Sequence, residues 1–130
     1  MAVRHSVTVR NARLDVIEST IGASATLELR SGARPTNIGD ADTGALLVSM
    51  ALPADWMAAA SGGIKALAGS WTNAAVASGI FGHYRLKQGA TCHEDGTCGL
   101  AGSDIVMDSA TCTAGQATTI TAKTVTEGNA

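Results

Sequence analysis

The sequence predicts a mainly β domain, an antiparallel sandwich or barrel preceded by one amino-terminal helix. Three observations carry this. A single amphipathic stretch ends at Gly22; from Ala25 onward short β-prone runs alternate with Gly, Ser, Asn, Asp and Thr; and 130 residues suit one core rather than two. The span 1–130 therefore reads as one domain: an arm and helix over 1–22, the sandwich over 23–126 and a short polar tail.

In RNARLDVIESTIG, residues 10–22, Leu14, Ile17 and Ile21 recur at helical spacing while Arg13, Asp15 and Glu18 point elsewhere, and Gly22 offers a stop. The preceding SVTV suits either an extended arm or the first helical turn. TLELR, 26–30, alternates Leu27 and Leu29 against polar neighbours, as a half-buried strand does. Residues 31–44 are a polar loop rich in turn formers, and ALLVSMAL, 45–52, is apolar enough for a central strand that Pro53 closes. Gly62 and Gly63 divide DWMAAASGGIKAL into strand, turn and strand. SWTNAAVASG fits no single element. IFGHYRLK, 80–87, sets Tyr84 and Leu86 against His83, Arg85 and Lys87, a strand pattern that leaves His83 facing solvent. DIVMD, 104–108, and the threonine-rich ATTITAKTV, 117–125, complete the set.

Much of the 45 % hydrophobic content is alanine, and the aromatics are Trp56, Trp71, Phe81 and Tyr84 alone, so Ala, Val, Leu and Ile should build the core. The net charge is -2 with no basic run, which argues against nucleic acid as a partner. No apolar stretch approaches the roughly 20 residues of a membrane span, and the start lacks the run of about seven to fifteen apolar residues of a secretory leader. The expected setting is a reducing cytoplasm, or an assembly that leaves it.

QGATCHEDGTCGLAGSD, 88–104, holds Cys92 and Cys98 around His93, two acids and a glycine. The C-x5-C spacing lacks the paired-ligand signature of structural zinc, and neighbours Cys92 and His93 point to opposite faces of a strand. Asp95-Gly96 instead suggests a hairpin turn that sets the two cysteines opposite each other. They are candidate paired thiols, with a disulfide after release from the cell as the second state. Cys112 reads as core.

Catalytic patterns fail on spacing. A thiol nucleophile would need His5, His83 or His93 beside Cys92 or Cys98, and nothing in the sequence fixes that geometry. Asp40 and Asp42 give half of a calcium loop, but its twelfth position is Ala51. SGGIK lacks the spacing and hydroxyl of a phosphate loop, and ASGIFG lacks a serine elbow. No catalytic, metal or cofactor-binding residue is assigned, and no cofactor is expected.

RNARLDVIEST, LELRSGARPTN, GALLVSMALP, GHYRLKQGATC, LAGSDIVMD and TAGQATTITAKTVTEGNA together resemble a family of small structural proteins of tailed bacteriophages, the capsid cement or decoration proteins. The resemblance covers about Arg10 to Asn129. It implies a jelly-roll or immunoglobulin-like sandwich that binds the outer surface of the major capsid protein lattice as a homo-oligomer and stabilises the head, a non-enzymatic role on the virion exterior after assembly in the host cytoplasm. The C-x5-C stretch departs from the family pattern. Candidate contacts on that reading are Arg30, Arg34 and Pro35 of the long loop with Trp56 and Trp71, because Arg and Trp concentrate at interface centres. For both tryptophans the core is the favoured placement, because a domain so poor in aromatics has few large side chains to fill its interior. MAVRHSVTV is a second contact candidate, as an arm across a neighbouring subunit or a plain terminus. Two other readings are a tail- or fibre-associated module that binds a host surface and a small thiol enzyme.

Overall fold

The computed structural model describes residues 3–127 and shows a mainly β fold, sandwich-like, with one amino-terminal helix. Helix α1, Val7–Ile21, starts earlier than its apolar spacing suggests, because Ser6 caps it by accepting a hydrogen bond from Val9 N–H at 3.3 Å. The segment SVTV is therefore its cap and first turn. Gly22 ends it as predicted.

The strands are β1 Ala25–Arg30, β2 Leu46–Ala51, β3 Ile64–Ala66, β4 Thr72–Ala74, β5 Gly79–Ile80, β6 His83–Gln88, β7 Thr91–Gly99, β8 Ile105–Met107, β9 Thr111–Cys112 and β10 Ala117–Thr126. Their main sheet runs β2-β1-β6-β7-β8-β10-β3, with β4 also on β10, while β5 and β9 form a separate pair. The predicted strand over 80–87 is broken at Phe81 and Gly82, so its first residue belongs to the small pair.

The sheet is mixed rather than wholly antiparallel, because β7 and β8 run parallel. Parallel pairs ordinarily need a crossover of a dozen or more residues. Here only two rungs pair, Cys98 with Ile105 and Gly99 with Val106, so the chain needs to step back only a few residues. Asp104 fixes that step by accepting from Thr97 N–H at 2.9 Å and Thr97 Oγ1 at 3.1 Å.

The sheet curls until β4 meets the outer edge of β2. Val76 N–H donates to Leu47 O at 2.8 Å, and Asn73 Nδ2 donates to Ser49 O at 2.7 Å. An edge that would otherwise offer a row of free backbone groups is thereby sealed.

The concave face carries Leu27, Leu29, Val48, Met50, Leu86 and Ile105 into one core. Trp56 and Trp71 lie inside it at 0 % and 1 % exposure, their rings 6.0 Å apart. Their indole N–H groups find partners in Gly22 O and Ala68 O, each at 3.0 Å, which lets both rings be buried. They are core residues, and their assignment as capsid contacts is corrected accordingly.

The helix docks through polar as well as apolar groups. Leu14 and Ile21 are buried. On an adjacent stripe, Asn11 Oδ1 accepts from Gly63 N–H at 2.9 Å, Asp15 Oδ1 from Ala60 N–H at 2.9 Å, and Glu18 from Met57 N–H. Spacings of four and three residues place these side chains on one helical face. They take up backbone donors of the segment 57–63 that flanks β3. Buried Lys65 adds a 2.8 Å ion pair with Asp15. Asp15 and Glu18, read from the sequence as pointing away, are thus docking groups.

Candidate functional site

The hairpin predicted at Asp95-Gly96 is displaced. The turn lies at Gly89-Ala90, where Gly89 supplies a φ of 61°, and β7 runs straight through Asp95 and Gly96. Gly96 serves a different need: a Cβ there would come within 2.8 Å of both the Tyr84 ring and an Asp104 oxygen. Space for that ring, rather than a turn, requires glycine at 96.

Cys92 and Cys98 therefore lie along one strand and are not paired. A bulge separates them further: Glu94 opposes Leu86 and Cys92 opposes Lys87, so His93 is an extra residue and the side-chain alternation inverts. Cys98 enters the core, where burial pushes its thiol up to about 12, and Cys92 emerges on the outer face beside Arg85 and Lys87. Cys112 is core, its thiol bonded to Ala77 O at 3.2 Å.

That outer face is the most heavily charged part of the molecule, and it is covered. Strands β1 and β6 project Glu28, Arg30, His83, Arg85 and Lys87 from it, following the register that pairs Glu28 with Arg85 and Arg30 with His83. The polar segment 31–44 crosses above them as a strap. Alternation alone predicted an exposed His83; under the strap it is 1 % exposed, with Nδ1 2.9 Å from Gly32 O.

Asp42, carried by the strap, meets three cations. Its Oδ1 accepts from Arg85 Nη1 at 2.7 Å, and its Oδ2 takes Lys87 Nζ at 2.6 Å and Arg30 Nη2 at 3.2 Å. The bond from Lys87 is the main cause holding the Asp42 carboxyl below the usual aspartate range; burial opposes it and Arg30 reinforces it. Burial disfavours the Lys87 ammonium, but its bonds to Asp42 and Glu28 outweigh that and raise its pKa. Arg85 also donates to Ile38 O at 2.5 Å, to Asp40 O at 3.0 Å and, through Nε, to Cys92 Sγ at 3.2 Å. Beside these contacts an open cleft of about 520 Å³ is lined by Ile38–Asp42 of the strap and by Arg85, Lys87 and Cys92 of the strands.

A second polar group ties β6, β7 and β10 together. Glu94 Oε2 accepts from Tyr84 Oη at 2.7 Å and pairs with buried Lys123 at 2.5 Å, while Lys123 stands 5.2 Å from the Tyr84 ring centroid. Burial foremost, then the Glu94 carboxylate, raises the Tyr84 phenol far above its ordinary value. It is a neutral cross-tie, not a base.

Of the loop residues named from sequence, Arg30 belongs to the charged cluster and Pro35 is buried. Burial removes Pro35 as a surface contact. Arg34 is exposed and reaches Asp95 Oδ1 at 3.1 Å. The residues that sequence reasoning missed are Asp42, Arg85 and Lys87. The available signal was three cations on alternate or adjacent strand positions opposite a loop bearing D-A-D.

Chemically the cluster is a set of mutually satisfied charges. Cys92 contacts a guanidinium and the Glu94 carbonyl oxygen, at 3.2 and 3.3 Å, in place of the imidazole that a thiol nucleophile of the Cys-His kind uses. Among the described residues, no three His, Cys, Asp or Glu side chains converge as metal ligands, and no helix is long and apolar enough to cross a membrane. No family model, curated protein or solved structure matches the chain.

Proposed function

We propose that the protein is a structural component of a tailed-bacteriophage virion, a cement protein that binds the outside of the major capsid protein lattice as a homo-oligomer and stabilises the head. The reading rests on the sequence resemblance, which spans most of the chain, and on one surface observation. Val3, Val7, Val9 and Val16 are 42–72 % exposed, so the arm and the outer side of α1 present aliphatic side chains where a solitary domain would carry polar ones. Val16 continues into a shallow groove with Ile17, Thr20, Ile21 and His93. A lattice multiplies a modest contact of this kind by its copy number, so no deep pocket is required. The second reading, recognition of a host surface by exposed aromatics, loses its support because Trp56, Trp71, Phe81 and Tyr84 are all buried.

The test is the copy number of this chain in purified particles, measured by quantitative mass spectrometry against the major capsid protein. Near-stoichiometric copies support cement, a handful point to a tail or connector position, and none ends the virion reading. The double variant Val9→Ser with Val16→Ser should then leave the isolated protein folded and lower its occupancy on particles. Unchanged occupancy would remove α1 from the contact.

A further inference from the structure

We propose that residues 31–44 form a strap that opens and closes over the outer face of the sheet, latched by Asp42, and that opening widens access to the half-buried Cys92. Three independent features lead there. First, the ends of the strap are fixed close together: Ser31 N–H donates to Ala45 O at 3.1 Å, Ala45 N–H donates to Ser31 Oγ at 2.9 Å, and Thr43 Oγ1 donates to Ala33 O at 2.8 Å. A segment pinched at its roots moves as a flap without disturbing the strands on either side. Gly44 stands at one root with a φ of 68°, and a Cβ there would lie 1.9 Å from Ser31 O, so the pinch depends on glycine.

Second, apolar packing under the Ile38–Asp42 end of the strap is sparse. An open cleft of about 520 Å³ is lined there by Ile38–Asp42 together with Arg85, Lys87 and Cys92, and Ile38 itself is 45 % exposed. Opening at this end therefore gives up little apolar burial. Third, what spans the gap is polar and converges on few atoms: the Asp42 carboxylate on Arg30, Arg85 and Lys87, and the Arg85 guanidinium on the carbonyls of Ile38 and Asp40. Segments held by few apolar contacts are those that open locally, ahead of global unfolding. Glu28 meets Arg30 and Lys87 from the strand side, so these two cations keep one carboxylate when the strap lifts.

The three cysteines supply the readout, because half-buried Cys92 lines the cleft beside the strap and is hydrogen-bonded to the latched Arg85, while Cys98 and Cys112 are buried in the core. The experiment is pulsed labelling of the native full chain with iodoacetamide at neutral pH, followed by peptide mass spectrometry for each cysteine. Asp42→Asn should speed Cys92 labelling about tenfold or more, the scale expected on losing hydrogen bonds to charged groups, with Cys98 and Cys112 remaining slow. Glu28→Gln removes an equal charge from Arg30 and Lys87, two of the three cations, without touching the strap, and it should leave the Cys92 rate at that of the unsubstituted protein. Equal acceleration in both variants would overturn the proposal, since charge and not opening would then set the rate. No acceleration in Asp42→Asn would overturn it as well. Should Asp42→Asn expose all three cysteines, the unsubstituted protein decides: added salt must accelerate Cys92 selectively, and a rate independent of salt refutes the latch.

Discussion

Helix α1 and the strap are both fastened to the sheet by carboxylates, yet they are held in different ways. Asp15 and Glu18 bond to the backbone N–H groups of Ala60 and Met57, and Asp15 also to the buried Lys65 ammonium, beside the buried side chains of Leu14 and Ile21. Asp42 bonds to side-chain cations at the edge of an open cleft. In the first case polar bonds satisfy an edge while apolar burial holds the element down; in the second, ionic contacts do most of the holding. The contrast teaches that similar charges produce a permanent joint or a releasable one according to what is packed beside them.

The largest test of that contrast is Leu14→Ala. Removing a fully buried leucine from the joint should cost about 2–5 kcal/mol and lower the melting temperature of the whole domain in a calorimetric scan. A loss confined to the helix, with the sheet melting unchanged, would mean that α1 is no more integral than the strap.

Next in size is Glu18→Ala, which leaves the Met57 N–H without its acceptor at a cost of about 1–3 kcal/mol. Amide hydrogen exchange should rise over 57–63 and stay unchanged over 31–44. Spread of the effect to the strap would break the division between the two regions.

Acid should separate Asp42 from Glu18 by sign, whereas Asp15, lowered by its bonds to Lys65 and to Ala60 N–H, follows Asp42. The Asp42 carboxyl titrates lower in the fold than in the unfolded chain, so its contribution is complete above the ordinary aspartate value and is lost as pH falls through the folded value. Glu18 is shifted the other way, chiefly by burial, so protonating it in the fold favours the native state as pH falls. Exchange measured down a pH series, corrected for intrinsic rates, should therefore show 36–42 losing protection while Met57 keeps its own. Simultaneous loss at both places would contradict the assignment.

The smallest expected effect is that of Arg34→Ala. Its contact with Asp95 is exposed on the arginine side, so denaturant unfolding should shift by no more than about 0.5 kcal/mol. A larger loss would show that the strap has a second latch at its Arg34 end.

The sequence was informative wherever one physical effect acted alone. Apolar alternation located β1 and β6, an apolar run located β2, β-branched residues located β10, and helical spacing with Gly22 located α1. It misled where two effects competed. Asp95-Gly96 carries turn chemistry, but the pairing of β6 with β7 over their full length prevails, and Gly96 is needed instead for the Tyr84 ring. The polar side of β6 was read as solvent-facing because alternation says nothing about what a distant loop will cover. For the same reason Asp42 could not be matched with Arg85 across 43 positions of sequence. Trp56 and Trp71 had two defensible placements, and only the three-dimensional positions of Gly22 O and Ala68 O, which satisfy their indoles, decide between them.

Strand β10 is the last element of the described chain, yet it partners β3, β4 and β8, all formed from earlier residues. On a translating ribosome those three strands emerge without their β10 partner, β8 with only two rungs on β7 and β4 only against the edge of β2, and the sheet has no way to complete itself until about residue 126 is released. Every nascent copy therefore passes through an interval with unzipped edges. How crowded its neighbours are during that interval sets how many copies reach the finished fold.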